Sequence, residues 1–176
     1  MKKQTGYITF SAMMAALAAL LMLVSYFPYL TYTVPAFAAL FIMVAVIECG
    51  LKWATLSYLS AAIITLILAE AEAAVLFVCF FGFYPIIKVL LERIKIKPLK
   101  IAVKLAVFNA SVLLVYLVVM RLMGIDDGFE GYGKYMAYAA LVVGNGVFLI
   151  YDSALVRLSY WYYYKFHKTV NKWLKK

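Results

Sequence analysis

Charge is what this sequence has least of. Asp, Glu, Lys and Arg make up 14% of its 176 residues, against about 25% in an ordinary soluble domain. Histidine is scarcer still: the one copy is His167, close to the chain's end, where it reads as a surface residue. A single histidine excludes a HExxH zinc site, its place in the tail leaves no serine–histidine–acid set to assemble, and no Gly-rich phosphate loop is present. Two cysteines, Cys49 and Cys79, lie on different segments and form no CxxC, so both read as packing residues rather than ligands or a redox pair. Glu70 and Glu72 are close together, yet their place between apolar runs marks a solvated turn rather than an acid/base couple. The expectation is a chain with no catalytic residues, no metal and no cofactor, and therefore not an enzyme. The net charge of +9 would suit nucleic acid, but the basic residues flank apolar runs, where membrane orientation explains them and no nucleic-acid partner is needed.

What is present is apolar surface: 68% of the residues are hydrophobic. Six apolar segments are expected as transmembrane helices, at about 7–27, 34–50, 53–69, 73–91, 101–123 and 135–156. The fold class is all-α, a polytopic membrane protein with a single domain over 1–176. The second and third segments are near the lower length limit for a crossing. The first has no small-residue cleavage site and is expected to remain as a span. Lys2, Lys3, Lys52, the group Arg93, Lys95, Lys97, Lys100 and Lys104, and the tail lysines Lys165, Lys168, Lys172, Lys175 and Lys176 occupy alternate connections. Glu70, Glu72, Asp126, Asp127 and Glu130 occupy the others. The positive-inside rule then places both termini in the cytoplasm of a multi-pass protein of the cell membrane. The tail at 157–176 alternates aromatic and basic residues, the composition of an interfacial helix on the lipid bilayer.

Polar residues inside such spans call for partners. Tyr138, Asn145 and Asp152 are spaced by seven on one stripe of span six, and Asn109 lies in span five. At about 1.5 Å per residue, Asp152 lies about 25 Å along its span and Lys88 about 23 Å along span four. Two readings remain for these: an ion pair, or a lysine that snorkels to the headgroups beside a solvated aspartate. Gly82 and Pro85 predict a kink in span four.

The first span is crowded with alanine. Ala12 and Ala16 are four apart, as are Ala15 and Ala19, so each pair stacks on one helix face and permits close approach of another backbone. Such a face packs either within its own bundle or against a second membrane protein. Six spans in under 200 residues, both termini inside, a basic tail, the run Ala12-Met-Met-Ala-Ala16 and the outer stretch YFPYLTYTVPAF together resemble the substrate-binding S components of energy-coupling factor (ECF) transporters. The resemblance covers the whole chain in layout. It implies a vitamin or similar water-soluble micronutrient as small-molecule ligand, bound near the outer side. It implies docking through helix one, at Ala12 and Ala16, on a membrane scaffold subunit with two separate ATPases. It also implies toppling in the membrane to release substrate. The alternative is a small structural or scaffolding membrane protein, like the cell-shape protein of the MreD type, without transport activity. A channel or exporter fits less well, because spans two and three offer no continuous polar path.

The candidate ligand residues are Tyr29 and Tyr32 from the first outer loop, Glu72 at the start of span four, Tyr132 and Tyr135 before span six, and Asn145 deeper down. Such sites are mostly apolar with a few placed polar groups, and tyrosine suits a planar, weakly polar ring. Asn145 serves equally as a floor for the ligand or as structural glue to Asn109.

Overall fold

The computed structural model describes residues 2–122 and 133–174, with side chains for 4–118, 139 and 141–173. Every described element is helical: α1 (Lys2–Met22), α2 (Thr33–Leu68), α3 (Ala71–Leu76), α4 (Tyr84–Leu91), α5 (Lys97–Leu122), α6 (Gly133–Lys165) and α7 (His167–Leu174). Five stretches are long and apolar enough to cross a membrane: Gln4–Tyr26, Thr33–Leu68, Ala71–Leu91, Lys97–Val118 and Leu141–Lys165.

The five-fold count differs from the six segments expected because α2 carries two of them. Its backbone leaves the helical region at Gly50, with φ 80° and ψ 174°, a conformation that costs glycine little and other residues more. Contacts with α1 show the chain reversing there. Cys49 Sγ lies 3.8 Å from the carbonyl of Tyr7, near the start of α1. Ser25 Oγ, just past the end of α1, accepts from the amide of Glu70 at 3.2 Å. Between them, Met14 packs with both Ala45 and Ala54, and Met22 with Val34 and Ala69. The limbs at 33–49 and 51–68 therefore run in opposite directions beside α1, and α1 is the post about which the first half of the chain is folded.

Small residues make that packing close. Ala15 and Ala18 on α1 share one apolar cluster with Ala38 and Ala61 on the limbs, and these, with Ala19, Ala45 and Ala54, are all at most 7% exposed. Ser57 Oγ donates to the carbonyl of Ser11 at 2.5 Å, a cross-helix bond that requires backbones near contact. The end of α1 has an equally local cause. Pro28 biases its predecessor away from the α region, and Phe27 is extended, with φ −76° and ψ 133°.

Span four is irregular near Gly82 and Pro85, and the irregularity begins before the proline. Phe77–Phe81 forms one π-turn, with the Gly82 amide bonded to the carbonyl of Phe77 at 2.7 Å. That wider turn leaves the Val78 carbonyl free, and the Tyr58 hydroxyl donates to it at 2.7 Å. Pro85 then falls in the first turn of α4, where it lacks no needed donor. Downstream, α6 continues unbroken from the apolar region to Lys165, so the tail is helical beyond 156 and only His167–Leu174 forms a separate helix. No glycine or proline lies between Gly146 and Phe166 to stop it. Aromatic rings join the second half: Phe80, Phe108 and Phe148 meet at centroid distances of 4.8 to 5.8 Å.

The π-turn yields a test. A Cβ on Gly82 would lie 2.8 Å from the Tyr58 ring and 2.9 Å from the Phe77 carbonyl oxygen. Gly82→Ala is expected to destabilise the bundle by about 1–3 kcal/mol, the usual cost of overpacking, read as a lowered unfolding midpoint in detergent titration. An unchanged midpoint means this turn is not closely packed.

Candidate functional site

Two groups of polar side chains stand out, one at each end of the bundle. The basic end is marked by Lys52, Arg93–Lys104 and the tail, and the acidic end by Glu70 and Glu72.

At the basic end, one carboxylate draws three helices together. Asp152 on α6 ion-pairs with Lys88 of α4, accepts from the Tyr84 hydroxyl at 2.7 Å, and accepts from Lys104 of α5 at 2.8 Å. Lys88 also donates to the backbone carbonyl of Asp152 at 3.1 Å. Lys104 continues to Glu92 at 2.6 Å, and Lys100 reaches the other oxygen of Glu92 at 2.9 Å. Partial burial disfavours the charged form of Glu92, but the hydrogen bonds from Lys104 and Lys100 outweigh it and hold the carboxyl below its usual range. Of the two readings left open, the ion pair is the one made, as part of a five-charge chain, and the snorkelling alternative is not what the chain adopts. Lys104, Glu92 and Tyr84 were not foreseen as its members. The signal was there: Lys88 and Glu92, and likewise Lys100 and Lys104, are four apart on helices joined by a short link.

A second contact at this end was also missed. Glu48, the only acid in 34–50, has a side chain 1% exposed, and its oxygens lie 3.1 and 3.2 Å from His167 Nδ1. The Tyr163 ring stacks on His167 at 4.5 Å, and Asn171 lies 3.4 Å from Nε2. His167 is therefore half-buried and tied to α2, not the surface residue expected. An acid inside an apolar segment was the overlooked clue.

At the acidic end, the structure brings together two of the expected ligand residues. The Tyr32 hydroxyl lies 3.5 Å from Glu72 Oε2. Burial first, and then the nearby Glu72 carboxylate, push the Tyr32 hydroxyl pKa up. Tyr29 stands apart, 95% exposed with φ 71°. Tyr132 lies outside the described residues, and Tyr135 sits in the first turn of α6 with its side chain outside them. Asn145 faces Asn109 in a reciprocal amide pair of 3.1 and 3.2 Å, and each also donates to a carbonyl one turn back. Its apo partner is thus the structural one.

On α1 the two alanine frames separate. Ala15 and Ala19 are buried at 3% and 7%, while Ala12 and Ala16 are exposed beside Met13, Leu17 and Leu20.

No family model matches the chain, and no curated protein or solved structure matches it. Function is therefore argued from these residues. Among the described residues no group of three histidines, cysteines or acids is placed to hold a metal. What the basic-end cluster offers is charge neutralisation across three helices.

That role sets an expectation. Removing one member of a buried ion pair usually costs about 3–5 kcal/mol, because the partner stays buried and uncompensated. Asp152→Asn leaves Lys88 and Lys104 with only the half-exposed Glu92 carboxylate to share and is expected to fall at the lower end of that range, by unfolding titration in detergent. Adding Lys88→Met to it should recover part of the loss. A single-variant cost under about 1 kcal/mol, the value of an exposed pair, would show the cluster to be solvated.

Proposed function

We propose that this chain is the substrate-binding membrane subunit of an ECF-type importer for a small water-soluble micronutrient, crossing the bilayer six times with both termini in the cytoplasm. The observation that carries the reading is the division of α1. One small-residue face is filled by the chain's own limbs, while the other, Ala12–Ala16, stays open with the geometry that lets a second membrane helix approach closely. The six-crossing count is supported by the reversal at Gly50, since each limb of α2 is near the lower limit of about 17 residues for a span. The orientation rests on the Lys/Arg asymmetry of the connections. The ATPases are separate polypeptides in this scheme, in keeping with a sequence that has no phosphate loop of its own.

Topology and docking are tested in one strain. A cysteine introduced at Lys97 is expected to resist an impermeant thiol reagent in intact cells, and one at Asp127 to react. Ala12→Trp with Ala16→Trp is expected to abolish co-purification of a membrane scaffold and its ATPases while leaving folding intact, because bulk holds the helices apart. Joint loss of folding and association would return both alanines to internal packing. A scaffolding protein of the MreD type would use the same face, so thermal-shift screening against vitamins and nucleobase-like compounds separates the two. A true ligand at a hundredfold excess over Kd stabilises by about 2.7 kcal/mol, and the scaffold responds to none.

The ligand is assigned to the acidic end, beside Tyr32 and Glu72, with Asn145 as its floor. Asn145→Leu keeps volume and removes the amide. The expected result is a tenfold or greater loss of ligand affinity with a stability cost near 0.6 kcal/mol, the average for a polar contact between membrane helices. Wild-type affinity would take Asn145 out of the site.

A further inference from the structure

A groove of about 510 Å³ opens at the basic end between the first limb of α2, α4 and α6. Its size lies within the roughly 300–1,000 Å³ of small-molecule sites. Met43, Val46 and Ile47 of α2 form an apolar floor. The two walls change character in the same direction. Along α4 the lining passes from Pro85 to Lys88 and Glu92, and along α6 from Leu155 to Ser159 and Tyr163. Each wall therefore runs from hydrocarbon to polar or aromatic lining over a floor that stays apolar, with Met43 Sδ 3.0 Å from Ser159 Oγ, a setting for an amphiphile that lies parallel to α4 and α6.

The charges at the polar end do not balance. Lys88, Lys100 and Lys104 share two carboxylates, Asp152 and Glu92, which leaves one positive charge in excess in the cluster, and Lys88 and Glu92 are its members that line the groove. Arg93, Lys95 and Lys97 follow directly in the chain. Basic pockets between membrane helices at the cytoplasmic face attract anionic headgroups. Tyr160, 63% exposed, stands at the rim with an amphipathic ring suited to the headgroup level.

We propose that this groove binds one anionic phospholipid of the adjoining leaflet, with an acyl chain along Met43, Val46 and Leu155 and the phosphodiester held near the Lys88–Glu92–Lys100 end. The bound lipid covers the flank of the ion cluster and joins α2 to α4 and α6. The site is at the opposite end from the proposed micronutrient site, and its existence is independent of any transport role.

The test uses the full chain in nanodiscs of phosphatidylcholine alone or with phosphatidylglycerol. Lipid retained on transfer to detergent is read by native mass spectrometry, together with melting temperature. Wild type is expected to favour phosphatidylglycerol by roughly fivefold or more, the worth of one basic residue at an anionic surface, and to melt higher in its presence. Val156→Trp fills the groove and is expected to retain neither lipid above background. Val89→Trp, on a more exposed part of the wall, does the same should the first variant fail to fold. Lys100→Gln keeps the groove but removes the charge excess, so the preference between the lipids should vanish while retention persists. The proposal is overturned if a folded groove-filled variant holds phosphatidylglycerol as wild type does, or if wild type does not distinguish the two lipids. It is equally overturned if soluble glycerol phosphate raises the melting temperature as much as the lipid, or if the groove proves to be covered by a second copy of the chain.

Discussion

Charge placed inside an apolar bundle must be neutralised by another part of that bundle, and Asp152 is where α4, α5 and α6 meet this demand. Apolar contacts between membrane helices carry little orientation, because lipid tails are as apolar as leucine. A carboxylate held by Lys88, Lys104 and Tyr84 has only one good arrangement. It fixes the rotation of three helices and their relative depth. The stacked rings of Phe108 and Phe148, 4.8 Å apart, then fill the space between elements already set in register.

The first half of the chain meets a different constraint. It holds few charges, and its helices are positioned by how closely their backbones approach. Alanine at 15, 18, 38, 45, 54 and 61 leaves room only for another backbone, and the Ser57–Ser11 bond closes across the gap. The bundle is therefore built in two ways: close contact of small residues around α1, and ion pairing between α4, α5 and α6. The π-turn at Phe77–Phe81 lies between these regimes, with Phe77 packed against the alanine core and Phe80 among the aromatic rings of the other half.

Helix positions were legible because apolar runs, proline and glycine act locally. Pro28 and Gly50 fall at changes of direction, and the Gly82–Pro85 pair marked the irregular stretch of span four. Equal depth made a Lys88–Asp152 pair one of two legible readings, because rise per residue is nearly constant in a helix. It did not bring in Lys104, which required the rotation of α5 about its own axis, a property set by packing rather than by the chain's own period. Glu48 and His167 were hidden for a related reason: 119 residues separate them, and no local pattern links the end of a span to a tail helix. The choice between the two alanine frames likewise depended on where α2 lies, which no single-helix pattern encodes.

The contact between Glu48 and His167 makes the tail part of the bundle's interior chemistry. Ribosomal synthesis delivers Glu48 to the membrane long before His167 exists, so the acid enters with its eventual partner still unmade. Until α7 arrives it must stay near water or lean on Tyr162. Seating of α7 is thus a chemical completion step, and a nascent chain that stops short of it differs from a finished one by an unanswered carboxylate beside the Gly50 turn.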